Sequence, residues 1–198
     1  MENISIMATE IELKAHIQDS EALKALLFRK AEYISAFEKD DSYWVRAPGA
    51  SASDPRTARL RVRGEKRVFP DGSEVSRIVA TYKNKEVTGG IEVNDELEFE
   101  VQPGPAFEAF LERVGFTRDI CKRKRGWDFF RDGITAELVE VESLGWFVEL
   151  EILTNDIHAA NRGKAVEEAR AKLLGFLAEL GISREAIESR YYTEMLKD

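Results

Sequence analysis

The most regular feature of the chain is an alternation of acidic and apolar residues that occurs three times. It runs from Thr9 to His16, where Glu10 and Glu12 fall on one side, and it returns at Glu96–Val101 and at Glu149–Ile152. A period of two residues is typical of a β-strand with one apolar face. The sequence therefore predicts three similar strands that are far apart along the chain.

Each of these strands is followed by apolar residues at helical spacing, which predicts a helix. The predicted helices run from an N-cap at Asp19 or Ser20 to about Phe37, from Pro103-Gly104-Pro105 to a C-terminal Gly115, and from Ala165 to Leu180 before Gly181. A short amphipathic tail, Arg184 to Leu196, comes after the third helix. The strand–helix unit is too long and too irregular for a solenoid repeat.

Further strands are predicted between these units. They cover Ser42–Arg46, Arg59–Arg63, Ser76–Lys83 and a hairpin that turns at Asp132-Gly133, whereas Pro48–Arg56 is predicted to be an exposed loop and Lys85–Val93 a connection with a turn at Gly89-Gly90. The total is about eight strands and three main helices. This content predicts an α+β fold in which an eight-stranded antiparallel barrel carries its helices outside, as a single domain over residues 1–198.

Composition narrows the class of protein. A chain of 198 residues suits one core, and its formal net charge of −8 argues against a nucleic-acid partner. No apolar run reaches the roughly 20 residues that a membrane span needs. The single cysteine, Cys121, cannot form an internal disulfide, which is typical of a reducing compartment. We therefore expect a cytoplasmic protein with neither a membrane nor a nucleic acid as its partner.

The charged residues are sorted by strand. Carboxylates occupy the polar face in Glu10/Glu12, Glu96/Glu98 and Glu149/Glu151, whereas cations occupy it in Arg59/Arg61/Arg63, in Lys83/Lys85 and within Lys122–Arg125, with Lys14 ending the first strand. One such strand on its own would be a solvated face. Because the helices need the apolar face of the sheet, closing the barrel directs these charges inward.

A charged interior of this kind suits a metal and a polyphosphate. Carboxylate oxygens are the ligands that Mg²⁺ and Mn²⁺ prefer. Arginine binds phosphate oxygens in a bidentate manner, and lysine binds them as a point charge. The pattern therefore favours a wet tunnel that holds a divalent cation and a triphosphate.

Several short motifs resemble the CYTH superfamily, the triphosphate tunnel metalloenzymes. They follow one another in order along the chain: E-I-E-L-K at Glu10–Lys14, D-S-Y at Asp41–Tyr43, L-R-V-R at Leu60–Arg63, T-Y-K at Thr81–Lys83, E-L-E at Glu96–Glu98, V-E-S-L-G-W-F-V-E-L-E at Val141–Glu151 and R-Y-Y-T-E-M-L at Arg190–Leu196. The first motif alone is weak evidence, but the ordered series is specific and spans nearly the whole chain.

The resemblance implies roles for individual residues. It implies that Glu10, Glu12, Glu149 and Glu151 bind Mg²⁺ or Mn²⁺, that Lys14, Arg61, Arg63 and Lys83 bind the triphosphate, that Glu98 is a further acidic residue of the wall, and that Glu12 and Lys14 act in catalysis. The family also has a basic K-x-R strand, for which Lys122/Lys124 and Arg123/Arg125 are two possible phases. A two-residue turn at Asp132-Gly133 places Gly126 opposite Val139 and Lys124 opposite Val141. Because paired residues share a face of the sheet, Lys122 and Lys124 would then point to the same side as Val139, and this favours them over Arg123 and Arg125.

One position departs from the family pattern. Val139 stands where the family usually has an inward aspartate. Glu137, two residues earlier on the same face, is a candidate replacement with a catalytic role, and Asp128, opposite Glu137 in the hairpin, is another. The loss of the aspartate calls turnover into question, although it leaves the anion-binding tunnel intact.

The family resemblance implies two alternative enzymatic functions, and Val139 motivates a third function without catalysis. The leading hypothesis is a class IV adenylyl cyclase-like enzyme that converts ATP to cyclic AMP and pyrophosphate. The second is a triphosphatase acting on thiamine triphosphate, inorganic triphosphate or a nucleotide, and the third is a binding protein without catalysis. A homodimer is also expected, because many members of the family are dimers.

Overall fold

The computed structural model describes residues 6–46, 59–88, 90–154 and 162–198, so the predicted loop Pro48–Arg56 lies outside it. The strands are β1 Ile6–His16, β2 Glu32–Val45, β3 Arg59–Val68, β4 Glu74–Thr88, β5 Ile91–Glu100, β6 Thr117–Arg131, β7 Ile134–Val141 and β8 Gly145–Thr154. The helices are α1 Ser20–Lys30, α2 Gly104–Arg113, α3 Arg162–Glu179 and α4 Tyr192–Met195, with a 3-10 turn at Arg184–Ala186.

The strands form a closed antiparallel barrel in the order β1-β5-β4-β3-β2-β6-β7-β8. Two strands that each carry an acidic pair, β1 and β8, are neighbours, with Glu12 opposite Glu151 and Lys14 opposite Glu149. This architecture confirms the predicted α+β barrel with helices outside. It also brings the first and last thirds of the chain together in one wall.

The apolar faces of the strands form the core between the barrel and its helices. Ile11 and Leu13 of β1 are fully buried beside Leu27 of α1 and Leu173 and Leu177 of α3. A second core lies under α2 and contains Trp44, Val62 and Leu111. Because the apolar side chains point outward to the helices, the alternate polar side chains point into the barrel. None of the helices in the described ranges is long and apolar enough to cross a membrane.

The predicted end of the first helix is wrong. Asp19 caps the N-terminus as expected, since its Oδ1 accepts the Ala22 N–H at 2.9 Å, but α1 ends at Lys30 instead of near Phe37. Ala31 is already extended, and β2 begins at Glu32, ten residues before the strand predicted at Ser42. From here the apolar residues follow strand spacing, so that Phe37 faces the barrel interior.

The predicted connection Lys85–Val93 is also wrong. β4 continues to Thr88 and β5 starts at Ile91, with Val87 paired to Glu92. Gly90 has a φ of +78°, as a tight turn requires, whereas Gly89 lies outside the described residues. The barrel wall is therefore longer here than the sequence pattern predicts.

The hairpin between β6 and β7 has the predicted register. Asp132 and Gly133 both have positive φ values, 51° and 84°, which a two-residue type I′ turn requires. Gly126 faces Val139, and a Cβ at Gly126 would lie 2.1 Å from the Leu138 carbonyl oxygen. Glycine at this position therefore allows β6 and β7 to pack closely.

Candidate active site

The barrel interior contains two adjoining cavities. The narrow cavity, of about 90 Å³, is lined by residues that include Lys14, Lys122, Lys124, Glu149, Tyr192 and Thr193. The wide chamber, of about 780 Å³, is lined by residues that include Arg67, Arg77, Glu98 and Asp128. Six residues border both cavities: Glu10, Lys39, Arg61, Arg63, Glu137 and Glu151. The two cavities therefore meet at the centre of the barrel.

Arg63 is fixed by a buried carboxylate. Its Nε and Nη2 donate to Asp41 at 2.6 and 2.9 Å, and the Lys122 ammonium lies 3.2 Å from the same carboxylate. Burial would raise the pKa of Asp41, but Arg63 and Lys122 hold it well below its usual range. Lys122 also donates to the Tyr43 hydroxyl at 3.0 Å. These contacts hold Arg63 in position before any ligand binds.

Arg61 is held much less tightly than Arg63. Its Nη2 donates to the Thr81 hydroxyl at 3.0 Å and lies 3.7 Å from Glu98. Its Nε is buried and has no hydrogen-bond partner among the described residues. A buried donor without an acceptor is energetically costly. Arg61 therefore offers an unused donor to an anion at the centre of the barrel.

The four carboxylates expected to bind metal lie on adjacent strands. The side chain of Glu151 is crowded by Glu10 and Glu12, and burial together with these two charges raises its pKa well above the ordinary value. Within the described ranges, no three His, Cys, Asp or Glu side chains already converge as ligands of one metal ion. Glu10, Glu12 and Glu151 nevertheless fit a divalent cation, which would relieve their mutual repulsion, whereas Glu149 is already paired with Lys124.

The lysines of the narrow cavity are paired with carboxylates. Lys14 Nζ lies 2.6 Å from Glu92, and Lys124 Nζ lies 2.6 and 2.7 Å from the two oxygens of Glu149. Burial would lower the pKa values of these lysines, but Glu92 raises that of Lys14 and Glu149 raises that of Lys124. Both lysines are therefore charged and able to exchange a carboxylate for a phosphate oxygen.

Lys122 and Lys124 line the interior, with 6% and 7% of their surface exposed. The alternate residues Arg123 and Arg125 point outward, each with 72% of the side chain exposed.

Glu98 lies in the wide chamber, where it accepts a hydrogen bond from the Thr81 hydroxyl at 3.1 Å.

The side chain of Lys83 lies outside the part of the chain that the structure describes. Its backbone pairs with Arg59 and Glu96 in the barrel wall. Its expected contact with the triphosphate therefore stays a prediction.

Val139 faces the interior, in an apolar cluster instead of a charged wall. It is fully buried and packs with Phe37, Val141, Phe147 and Tyr192. A carboxylate at this position would be buried among apolar side chains, whereas valine fits the cluster.

The two carboxylates considered as replacements have different surroundings. Glu137 borders both cavities and pairs with Lys39, which, with Lys124, lowers its pKa to about 2 against the effect of burial. Asp128 borders the wide chamber and pairs with Arg67 and Ser35. Of the two, Glu137 is the one that reaches the centre of the barrel.

The sequence interpretation did not identify Lys39 and Glu92 as interior residues. Lys39 fell between a predicted helix and a predicted strand, and Glu92 fell in a predicted connection. The missed signal is the period of two: Phe37, Lys39 and Asp41 share one face of β2, as Glu92 and Asn94 share one face of β5. The sequence interpretation also missed Glu65, which lies in the wide chamber. Burial would raise the pKa of Glu65, but Lys39, Arg67 and Arg77 lower it to about 2.

Comparison with known proteins agrees with this architecture. The CYTH domain family matches residues 8–192. The curated protein "Putative adenylate cyclase MJ0240" of Methanocaldococcus jannaschii is 27% identical over 191 residues, covering 94% of this chain and 97% of its own length. The structure of the PH1819 protein from Pyrococcus horikoshii has a TM-score of 0.76 at 27% identity, covering 95% of this chain and 98% of the other.

A more distant structure shares the fold. A Hippeastrum protein, named as a "putative adenylyl cyclase" with a dominant triphosphatase activity, has a TM-score of 0.63 at 19% identity. It covers 96% of this chain and 94% of its own. The match to the family extends over nearly the whole barrel and includes each strand that carries the interior charges. The chain belongs to the CYTH domain family.

Proposed function

We propose that the barrel binds a nucleoside triphosphate together with Mg²⁺ or Mn²⁺ and converts ATP to cyclic AMP and pyrophosphate. The observation that carries this proposal is the junction of a cationic cradle with a chamber of about 780 Å³. Pockets that enclose small organic ligands span roughly 300–1,000 Å³. The wide chamber is in this range, so it has room for a nucleoside beside the phosphates.

The cradle supplies positive charge at the junction of the two cavities. Arg61 and Arg63 border both cavities, and Lys14, Lys122 and Lys124 continue the charge into the narrow one. Fixed cations bind a triphosphate and stabilise the charge that develops as a phosphoanhydride bond breaks. We assign phosphate binding to these five residues.

In the proposed reaction, the ribose 3′ oxygen bonds to the α-phosphorus while the bond between the α-phosphorus and its bridging oxygen to the β-phosphate breaks. Pyrophosphate leaves with the electrons of that bond, and the 3′ hydroxyl loses its proton. We assign the proton acceptor to Glu137, because it is the carboxylate at the junction two residues from the position of the missing aspartate. Its ion pair with Lys39 makes it a weak base, so Lys39 has to move to the phosphates for Glu137 to take the proton. A divalent cation bound by Glu10, Glu12, Glu149 and Glu151 would neutralise phosphate charge and help to orient the phosphates.

Hydrolysis is a second candidate, and one feature of the narrow cavity favours it. Glu92 lines this cavity and pairs with Lys14; if Lys14 turned to a phosphate, the Glu92 carboxylate would be released to orient a water against it. The Hippeastrum protein, whose name gives a dominant triphosphatase activity, has the same fold. In this alternative the cradle is unchanged and water attacks the γ-phosphorus.

An assay of products separates the candidates. The purified protein is incubated with Mg²⁺ or Mn²⁺ and with ATP, thiamine triphosphate or tripolyphosphate, and cyclic AMP, pyrophosphate and orthophosphate are measured together. Cyclic AMP with equimolar pyrophosphate supports the cyclase, whereas orthophosphate alone supports the triphosphatase. The absence of all products, despite tight triphosphate binding, would contradict both reactions and leave a binding protein.

A further inference from the structure

The narrow cavity ends at the C-terminal segment of the chain. Tyr192 and Thr193 of α4 both line it, and they are 7% and 4% exposed. The Tyr192 ring packs edge-on against Phe147, with the ring centroids 5.0 Å apart, and joins the apolar cluster around Val139. The C-terminal segment is therefore packed into this end of the barrel.

Two buried hydroxyl groups at this end are incompletely satisfied by the described residues. Thr193 Oγ1 has no hydrogen-bond partner among them, and Tyr192 Oη lies beside the Glu149 carboxylate without a hydrogen bond of normal geometry to it. A tyrosine phenol and a threonine hydroxyl both carry a proton at neutral pH, so each is able to donate a hydrogen bond. Buried hydroxyls without an acceptor are unfavourable unless a ligand or water satisfies them.

The surroundings of these hydroxyls identify the chemistry of the ligand. The ammonium groups of Lys14, Lys122 and Lys124 lie 5.5, 5.0 and 5.0 Å from the Tyr192 ring centroid. Lys14 and Lys124 are paired with Glu92 and Glu149, so an anion that binds here takes the place of these carboxylates on the lysines. Two neutral donors beside the three ammonium groups suit such an anion when it has several oxygen acceptors, as a terminal phosphate has. A cavity of about 90 Å³ has room for a phosphoryl group, whereas an organic group needs a larger pocket.

We propose that Tyr192 and Thr193 donate hydrogen bonds to the terminal phosphate of the substrate and close this end of the tunnel. The inference rests on the proposed function, because it assumes that a triphosphate occupies the cradle. It adds an orientation and a substrate class: the terminal phosphate points toward α4, and any organic group lies in the wide chamber. The protein therefore accepts a triphosphate with a free terminal phosphate and rejects one that is esterified at both ends.

The first test removes one hydroxyl at a time at nearly constant shape. Binding of Mg²⁺–tripolyphosphate is measured by calorimetry for the wild type, Tyr192→Phe and Thr193→Val, with Tyr82→Phe as the control because Tyr82 is 44% exposed and lines neither cavity. Each interior variant is expected to bind roughly tenfold more weakly, the effect of one hydrogen bond to a charged acceptor. Thermal unfolding of each variant checks that the barrel stays folded.

The second test compares ATP with diadenosine triphosphate, which carries an organic group at each end. The wild type is expected to bind ATP and to bind diadenosine triphosphate at least a hundredfold more weakly. Equal binding of the two ligands, or unchanged tripolyphosphate affinity in both hydroxyl variants, would overturn the inference while leaving the proposed function intact. Failure of the wild type to bind either ATP or tripolyphosphate would instead overturn the proposed function.

Discussion

Replacing Arg63 by glutamine is expected to destabilise the fold much more than replacing Arg61, whereas both replacements are expected to weaken triphosphate binding. The Asp41 side chain is fully buried and depends on Arg63 for two hydrogen bonds, at 2.6 and 2.9 Å. Removing one partner of a buried ion pair costs about 3–5 kcal/mol. Because Lys122 remains 3.2 Å from Asp41, we expect the lower end, about 3 kcal/mol, for Arg63→Gln.

Arg61→Gln has no such cost. The Arg61 side chain is buried, its Nε has no partner among the described residues, and the carboxylate of Glu98 is 3.7 Å from its Nη2. Removing an incompletely paired buried charge is close to neutral, so the unfolding free energy is expected to stay within about 1 kcal/mol of wild type. Loss of a charge-assisted hydrogen bond to phosphate should nevertheless weaken triphosphate binding by about 2 kcal/mol, or roughly 30-fold.

Two measurements on the same samples test this reasoning. Urea unfolding, followed by tryptophan fluorescence, gives the free energy of unfolding, and calorimetry with Mg²⁺–tripolyphosphate gives the affinity. The reasoning is refuted if Arg61→Gln is destabilised as much as Arg63→Gln, or if Arg61→Gln binds tripolyphosphate as tightly as the wild type.

Three further predictions follow from the same interior. Val139→Asp should lower the unfolding free energy at neutral pH by about 3 kcal/mol, because it buries a carboxylate in an apolar cluster; wild-type thermal stability would contradict this. Glu65 has a folded pKa of about 2, below its ordinary 4.5, so it stabilises the fold above pH 4.5 and loses this effect as the pH falls toward 2. The wild type should therefore exceed Glu65→Gln in stability by on the order of 3 kcal/mol at neutral pH, and the urea curves of the two should converge in acid, whereas a constant difference would argue against it. Glu12→Gln should raise the Mg²⁺ concentration needed for half-maximal triphosphate binding roughly tenfold. The control Glu38→Gln, at an outward-facing position, should leave this concentration unchanged, and equal metal titrations of the two variants would exclude Glu12 as a ligand.

Strand alternation made much of the barrel predictable. In the segments Glu10–Leu13 of β1 and Glu149–Ile152 of β8 acidic and apolar residues alternate, so the inward face is apparent from the sequence. The Asp132-Gly133 turn fixed the register of its hairpin, because two positive φ values allow only a narrow set of geometries. That register correctly placed Lys124 opposite Val141.

Other features depend on contacts that lie far apart in the sequence. Arg61 and Arg63 look equivalent in the sequence, and only the fold shows that Asp41 pairs with Arg63 and leaves Arg61 with an unused donor. Tyr192 reaches the interior because the C-terminal segment returns to the barrel end. Neither relation produces a periodic pattern, so local sequence rules cannot predict it.

The central claim, that the barrel interior binds a triphosphate, is tested most directly on one strand. Lys124 and Arg123 are adjacent cations of β6, but the first points inward and the second is 72% exposed beside Asp40. The measurement is the affinity for Mg²⁺–tripolyphosphate of Lys124→Gln and Arg123→Gln, by calorimetry. The tunnel account predicts a loss of at least tenfold for Lys124→Gln and none for Arg123→Gln. Equal affinities for the two variants would contradict it.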